Sequence, residues 1–354
     1  MNINNDLLFE VGNLLPNSKL AIELKQSSDR KMLKSLKYLI SVVHKALPEN
    51  NFDDIIANID SKLNSEWKNF DRVPATLHIV HSKLRSAVED HQVKEALANI
   101  NALRSYEILT DKIQIGPLGG DQWSWEENQN IKDILDQSSL KTYGVTMGVS
   151  EPSSILAIQM NDAISSALKI LKEVDKELYT EIYVFVTDIV YYDSTKTTSS
   201  SSFNCLGLIN MNCIRGLQNW TTVLEMIVHE AAHQFVFNMM MHNQLILNEG
   251  EGLYKSSLRK DPRPMSGIYH ATIVIARIIY IMSKLSNSVL FHQLDIKIVQ
   301  PKNNARNESP YSQKFLQVEQ VIRENGKLSE LGSHMLNSAS ILAKMPIKTS
   351  YVHN

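Results

Sequence analysis

The sequence predicts an α+β fold, predominantly helical, with one long buried helix beside a small β-sheet. Three observations carry this expectation. Apolar residues recur at three- and four-residue spacing through most of the chain, as in helices with one buried face. The run EIYVFVTDIVYYD (181–193) is instead rich in β-branched and aromatic residues, and CLGLINMNC (205–213) follows it after a serine-rich loop. Directly after that second strand-like run, NWTTVLEMIVHEAAHQFVFNMMMH (219–242) returns to a helical pattern with apolar residues on nearly every side.

Taken in order, residues 1 to about 112 read as helices. DRKMLKSLKYLISVVHKAL places Met32, Leu33, Leu36, Leu39, Ile40 and Val43 on one face, and ATLHIVHSKLRSAVEDHQVKEALANINALRSYEIL continues the pattern. IGPLGGDQWSWEENQN (115–130) breaks regular structure at Pro117, Gly119 and Gly120. The expected organisation is therefore a helical N-terminal region, 1–114, and a second domain, 115–354. PSSILAIQMNDAISSALKILKEVDKEL (152–178) reads as one helix capped by Ser153 or Ser154. The strand-like run 181–193, the polar loop STKTTSSSSFN and the second strand lead into the helix of 219–242, with Thr221 or Thr222 near its start. SGIYHATIVIARIIYIMSKL (266–285) reads as a buried helix behind the stop DPRP, and amphipathic helices near 309–325 and 328–344 follow.

Composition narrows the class. The chain has 354 residues, 43% hydrophobic and 21% charged, as in soluble globular proteins. A net charge of −2 offers no bulk attraction to nucleic acid or to an anionic membrane. Two cysteines, Cys205 and Cys213, form no zinc-ligand pattern and point to a reducing compartment. The first residues lack a cationic start followed by an apolar core, and the longest apolar stretch, ATIVIARIIYIM (271–282), is interrupted by Arg277 and too short to span a bilayer. The expectation is a cytoplasmic protein with no nucleic-acid or membrane partner; nothing in the sequence sets its oligomeric state.

The helix of 219–242 carries His229, Glu230 and His233, an H-E-x-x-H motif. Residues i and i+4 share a helix face, so both imidazoles can address one metal ion. In a chain of this composition the pattern arises by chance only ~0.02 times, a frequency estimate of the false-positive risk. Strand, loop, strand and metal helix in this order are zincin-like, and they make 115–354 the expected metal-binding catalytic domain. SSFNCLGLINMN reads as an ordinary sheet strand or as an edge strand that a peptide extends. A third ligand is needed. Val236 and Met239 stand where H-E-x-x-H-x-x-G-x-x-H has its glycine and third histidine, so that pattern is absent. Glu249 and Glu251 in LNEGEGLYK would complete a zinc peptidase, with Glu230 as general base for the metal-bound water. His270, near the start of the next buried helix, is the other candidate. His78 and His81 in LHIVH, with no third ligand nearby, read as structural, and the run Met239–Met240–Met241 as core or flexible lining.

LYKSSLRKDPRPMSGIYHATIVIARI (253–278), placed after HEAAH, resembles the HExxH-motif proteins of bacterial peptide-modification clusters, which are Fe(II)- and 2-oxoglutarate-dependent peptide β-hydroxylases. Tyr254, Ser256, Arg259, Asp261, Pro262, Arg263, Pro264, Gly267 and His270 take the places of that family's motif. Leu258 stands in place of an aromatic residue, and Lys260 in place of a proline. The likeness is specific over 223–278 and extends over about 140–350. It implies His229, His233 and His270 as iron ligands, 2-oxoglutarate as cosubstrate, and a ribosomally made precursor peptide as substrate, hydroxylated at the β-carbon of an Asp, Asn or His type of side chain. The cosubstrate's distal carboxylate then needs a cation, for which Arg259 and Arg263 are the candidates. Arg263, with a proline on each side, has the better-fixed backbone. On this reading Glu230 is not required as a base; it orients a ligand, contacts the substrate, or is simply retained from a peptidase-like ancestor.

Overall fold

The computed structural model describes residues 5–143, 148–195, 199–217, 220–290 and 310–347. The chain is predominantly helical with a small sheet, and its first described helix is α1 (Asn5–Val11). It divides into two compact units built from interleaved segments, one from 21–161 with 183–216, the other from 3–20, 162–182 and 217–354. The break-rich stretch near 115 is therefore not the point of division. Residues 114–117 pair in a sheet with residues 188–191, which keeps them in the same unit as the N-terminal helices.

In the first unit, α2 (Ser18–Ala46), α3 (Asp53–Asn64), α4 (Ala75–Glu89) and α5 (Val93–Ala102) form the helical layer expected from apolar spacing. Met32, Leu33, Leu36, Leu39, Ile40 and Val43 are all buried in its core, with Phe52, Ile55, Leu77 and Ile100. The helical run from residue 75 to 109 breaks after α4, where His91 adopts a left-handed backbone with φ of 56°.

β1 (Gln114–Pro117), α6 (Trp125–Tyr143), β2 (Asp188–Tyr192), β3 (Ser199–Ser201), β4 (Leu208–Asn212) and the single turn α9 (Cys213–Gly216) complete the unit. The sheet order is β1-β2-β4-β3, with β1, β2 and β4 parallel and β3 antiparallel to β4. Every residue of β2 and β4 is buried, Asp188, Asn210 and Asn212 included, so neither strand shows the buried–exposed alternation of a half-solvated sheet, as expected for parallel strands covered on both faces. β4 has a neighbour on each side, so of SSFNCLGLINMN only Ser201, the last residue of β3, belongs to an edge strand; β1 and β3 are the two edges of the sheet.

A buried polar network ties the layers of this unit. Asp29, fully buried, accepts hydrogen bonds from Lys25 Nζ (2.6 Å), the Val73 amide (2.8 Å) and His78 Nε2 (3.2 Å). Asp188 accepts from Trp123 Nε1 (2.8 Å) and the Ala75 amide (3.1 Å). His81 Nε2 pairs with the Ser35 hydroxyl at 2.9 Å. Both histidines of LHIVH thus have partners of a structural kind.

Two sequence expectations are corrected between 152 and 193. The helix of 152–178 is two helices, α7 (Ser154–Val174) and α8 (Lys176–Phe185). Asp175 separates them: its amide closes the end of α7 on the Leu171 carbonyl at 2.8 Å, and its Oδ1 accepts the Leu178 amide at 2.9 Å, the N-cap geometry. Launched by that cap, α8 takes up the first half of the strand-like run 181–193, and only β2 is extended. The local preference of Ile182, Tyr183 and Val184 for strands yields to the cap and to burial of one helical face.

In the second unit, α10 (Trp220–Met240) and α11 (Met265–Ser286) pack on each other, and α11 also carries α12 (Tyr311–Asn325) and α13 (Glu330–Leu342). The 22-residue α11 is the one helix among the described residues long and apolar enough to cross a membrane, and most of it is buried inside the structure. Its interruption, Arg277, is buried in an ion pair with Glu181, with its guanidinium 4.4 Å from the Phe235 ring centroid. Tyr269 donates to the Gly332 carbonyl at 2.8 Å. Between α10 and α11 the DPRP stop is part of a hairpin, β5 (Tyr254–Ser256) with β6 (Arg259–Arg263), paired Tyr254↔Arg263 and Ser256↔Arg259. Pro262 fits there because a two-stranded hairpin has a free edge on each strand.

Candidate metal centre

α10 buries Leu224, Ile227, Val228, Ala231, Ala232, Phe235, Val236 and Met239. His229, His233 and Met240 form its less buried stripe. At 100° per residue, His233 is turned 40° from His229 and Met240 only 20°, so the three share one face. The His229 side chain is 40% exposed. α11 brings His270, 8% exposed, to the same place.

The rings of His229 and His233 lie 5.1 Å apart between centroids, and those of His233 and His270 5.8 Å apart. Imidazole nitrogens bond a first-row metal at ~2.1 Å, which sets neighbouring ligand rings about 4.5–5.5 Å apart. The first pair meets that spacing, and the second is wider by a few tenths of an ångström. Among the described residues no three His, Cys, Asp or Glu side chains form a ready-made metal cage. Small ring rotations on two rigid helices would be needed to close this one.

The donor chemistry fits a metal. Ligation requires neutral imidazole. Burial, helped by the charges of His229, His270 and Arg263, holds His233 well below the usual histidine range. Burial pushes His270 down to about 4. Glu230, 1% exposed, has one carboxylate oxygen without a hydrogen-bond partner, and its other oxygen lies 3.9 Å from His229 Nε2. An orphaned buried carboxylate oxygen is costly, and it is the kind of group that a bound cation or its water satisfies.

The other candidate ligands are engaged elsewhere. Glu249 caps the start of α11, accepting from the Ser266 amide (3.1 Å) and hydroxyl (2.6 Å). Glu251 is on the surface, paired with Lys327 at 2.9 Å. Arg263, half-buried, lies against Gly267 in the first turn of α11: a β-carbon there would be 3.8 Å from the arginine's Cβ and Cδ. Its charge reaches His233. Arg259 pairs with Ser256 through β6, and its side chain lies outside the described residues.

Sequence reasoning missed one wall of the cluster, Phe237, and read the other, Met240, only as core or flexible lining. Phe237 stacks on His233 (6.0 Å, 22°) and tilts against His270 (5.4 Å, 59°), and Met240 Sδ lies 3.2 Å from His270 Nε2. Both stand within two turns of His233 along α10, a spacing from which they could have been found. A cavity of about 140 Å³ lies elsewhere, among Leu36, Ile55, Ile59, Leu77 and Leu103 of the first unit, and no residue of the histidine cluster lines it. No protein-family model matches the chain, and no curated protein matches it significantly.

Proposed function

We propose that the chain is an Fe(II)- and 2-oxoglutarate-dependent hydroxylase of a peptide side chain. The observation that carries this reading is the cluster of His229, His233 and His270, with Arg263 packed against Gly267 at the start of the helix that carries His270, while Glu249 and Glu251 are engaged elsewhere. Three neutral ligands would leave the remaining metal positions for the keto acid and dioxygen. When bound, iron with 2-oxoglutarate supplies the oxidising power to insert one oxygen atom into a C–H bond, with succinate and carbon dioxide as coproducts.

The protein's own groups have separate tasks. His229 and His233 hold the metal from one helix and His270 from another. Arg263 offers a two-pronged cationic partner to the distal carboxylate of the keto acid. Phe237 and Met240 cover the His270 side and keep water from it. The resemblance of 223–278 to peptide β-hydroxylases supplies the substrate class, a ribosomally made precursor peptide.

The second reading is a zinc metallopeptidase, favoured by one observation, the buried Glu230 carboxylate, which has one oxygen unpartnered and the other 3.9 Å from His229 Nε2. It requires a third ligand, and both glutamates available for that role have other partners. Anaerobic reconstitution with Fe(II), followed by oxygen and 2-oxoglutarate, tests the first reading: succinate release is expected, and peptide cleavage with bound zinc in its place would select the second.

A further inference from the structure

His270 meets α10 in a way that distinguishes its two ring nitrogens. Its Nε2 is 3.2 Å from Met240 Sδ, and Phe237 packs on the same ring. A thioether sulfur has no hydrogen to give and can only accept. The contact is therefore a hydrogen bond only in the tautomer with its proton on Nε2, and in that tautomer the free lone pair is on Nδ1. Histidines that bind metals almost always donate their other ring N–H to a fixed acceptor, which sets both tautomer and ring orientation. Met240 stands where such an acceptor belongs, on the helix stripe that already carries His229 and His233.

We propose that Met240 is a positioning residue for the metal: its thioether accepts the Nε2–H of His270 and so presents Nδ1 of that ring as the third ligand. This rests on the metal-site reading above and adds to it one ligating atom and one partner. A sulfur acceptor polarises the ring less than a carboxylate does, so His270 is a weaker donor than a carboxylate-backed histidine. Gln in place of Met240 would supply a carbonyl acceptor of similar reach, and Leu would keep the volume but remove the acceptor.

The test uses the full chain labelled with ¹⁵N-histidine, with Zn(II) as a diamagnetic stand-in for iron. Long-range ¹H–¹⁵N correlation spectra separate Nδ1 from Nε2 in each imidazole. His270 is expected as the Nε2–H tautomer without metal, and bound through Nδ1 with Nε2 still protonated once zinc is added. Zinc bound through Nε2 of His270 overturns the proposal while leaving the three-histidine site standing. Zinc on none of the three histidines overturns both. Met240→Leu should weaken zinc binding about tenfold or more, the usual effect of removing such a partner, and Met240→Gln should recover most of the loss. Wild-type affinity in a folded Met240→Leu protein overturns the proposal.

Discussion

Glu230 is the residue at which the two metal chemistries part. As a peptidase base it would be indispensable, and Glu230→Gln would lower activity by orders of magnitude. In a hydroxylase the same change should leave iron binding and most keto-acid turnover intact. Stability should hold or rise by about 1 kcal/mol, because a buried carboxylate oxygen without a partner gives way to a neutral amide; iron stoichiometry, succinate release and thermal unfolding of the variant read this out. Arg263 carries the second prediction. Arg263→Ala should weaken 2-oxoglutarate by about 2–5 kcal/mol, the range for loss of one partner of a buried hydrogen-bonded charge pair. Arg263→Lys should restore only part of it, since an ammonium lacks the guanidinium fork. Equilibrium binding of 2-oxoglutarate to the anaerobic iron-loaded variants decides; normal affinity in Arg263→Ala together with loss in Arg259→Ala would move the role to Arg259.

At the scale of elements, what could be read from the sequence follows from how each segment is buried. α10 and α11 were legible because their apolar residues persist through twenty-odd residues, too long for a strand. The metal motif was legible because i, i+4 spacing has a direct geometric meaning on a helix. The nearness of His270 to His233 was legible only as a candidacy, from its place near the start of the next buried helix and from the resemblance, since the distance depends on how two helices pack. α8 was misread because its residues favour strands, and one aspartate cap outweighs that preference. β3 and the β5–β6 hairpin were missed because strands of three to five polar residues carry no periodic signal. Arg277 shows the same dependence on packing: an apparent interruption of an apolar run is the buried partner of Glu181. Arg277→Ala should therefore cost about 3–5 kcal/mol by leaving Glu181 buried and unpaired. The pair Arg277→Met with Glu181→Leu should recover most of that in denaturant unfolding.

For the whole molecule, pH and metal are the levers. Burial lowers His81 from 6.5 to about 4. Between those values the unfolded chain takes up a proton that the folded chain refuses. The group costs nothing above about pH 6.5, destabilises increasingly as pH falls, and levels off below about 4. His81→Gln should remove about 2 kcal/mol of that acid-side loss, allowing for partial solvent access, as seen in unfolding free energies at pH 7 and pH 4.5. Metal acts in the other direction: an ion held by the folded state alone at a hundred times its dissociation constant stabilises by about 2.7 kcal/mol. Metal and cosubstrate are tested together by calorimetric titration of 2-oxoglutarate into anaerobic protein with and without Fe(II). One molecule is expected to bind per iron and none without iron, and His270→Ala should lose both iron and 2-oxoglutarate. A folded His270→Ala protein that keeps its iron and binds 2-oxoglutarate as the wild type does would contradict the hydroxylase reading.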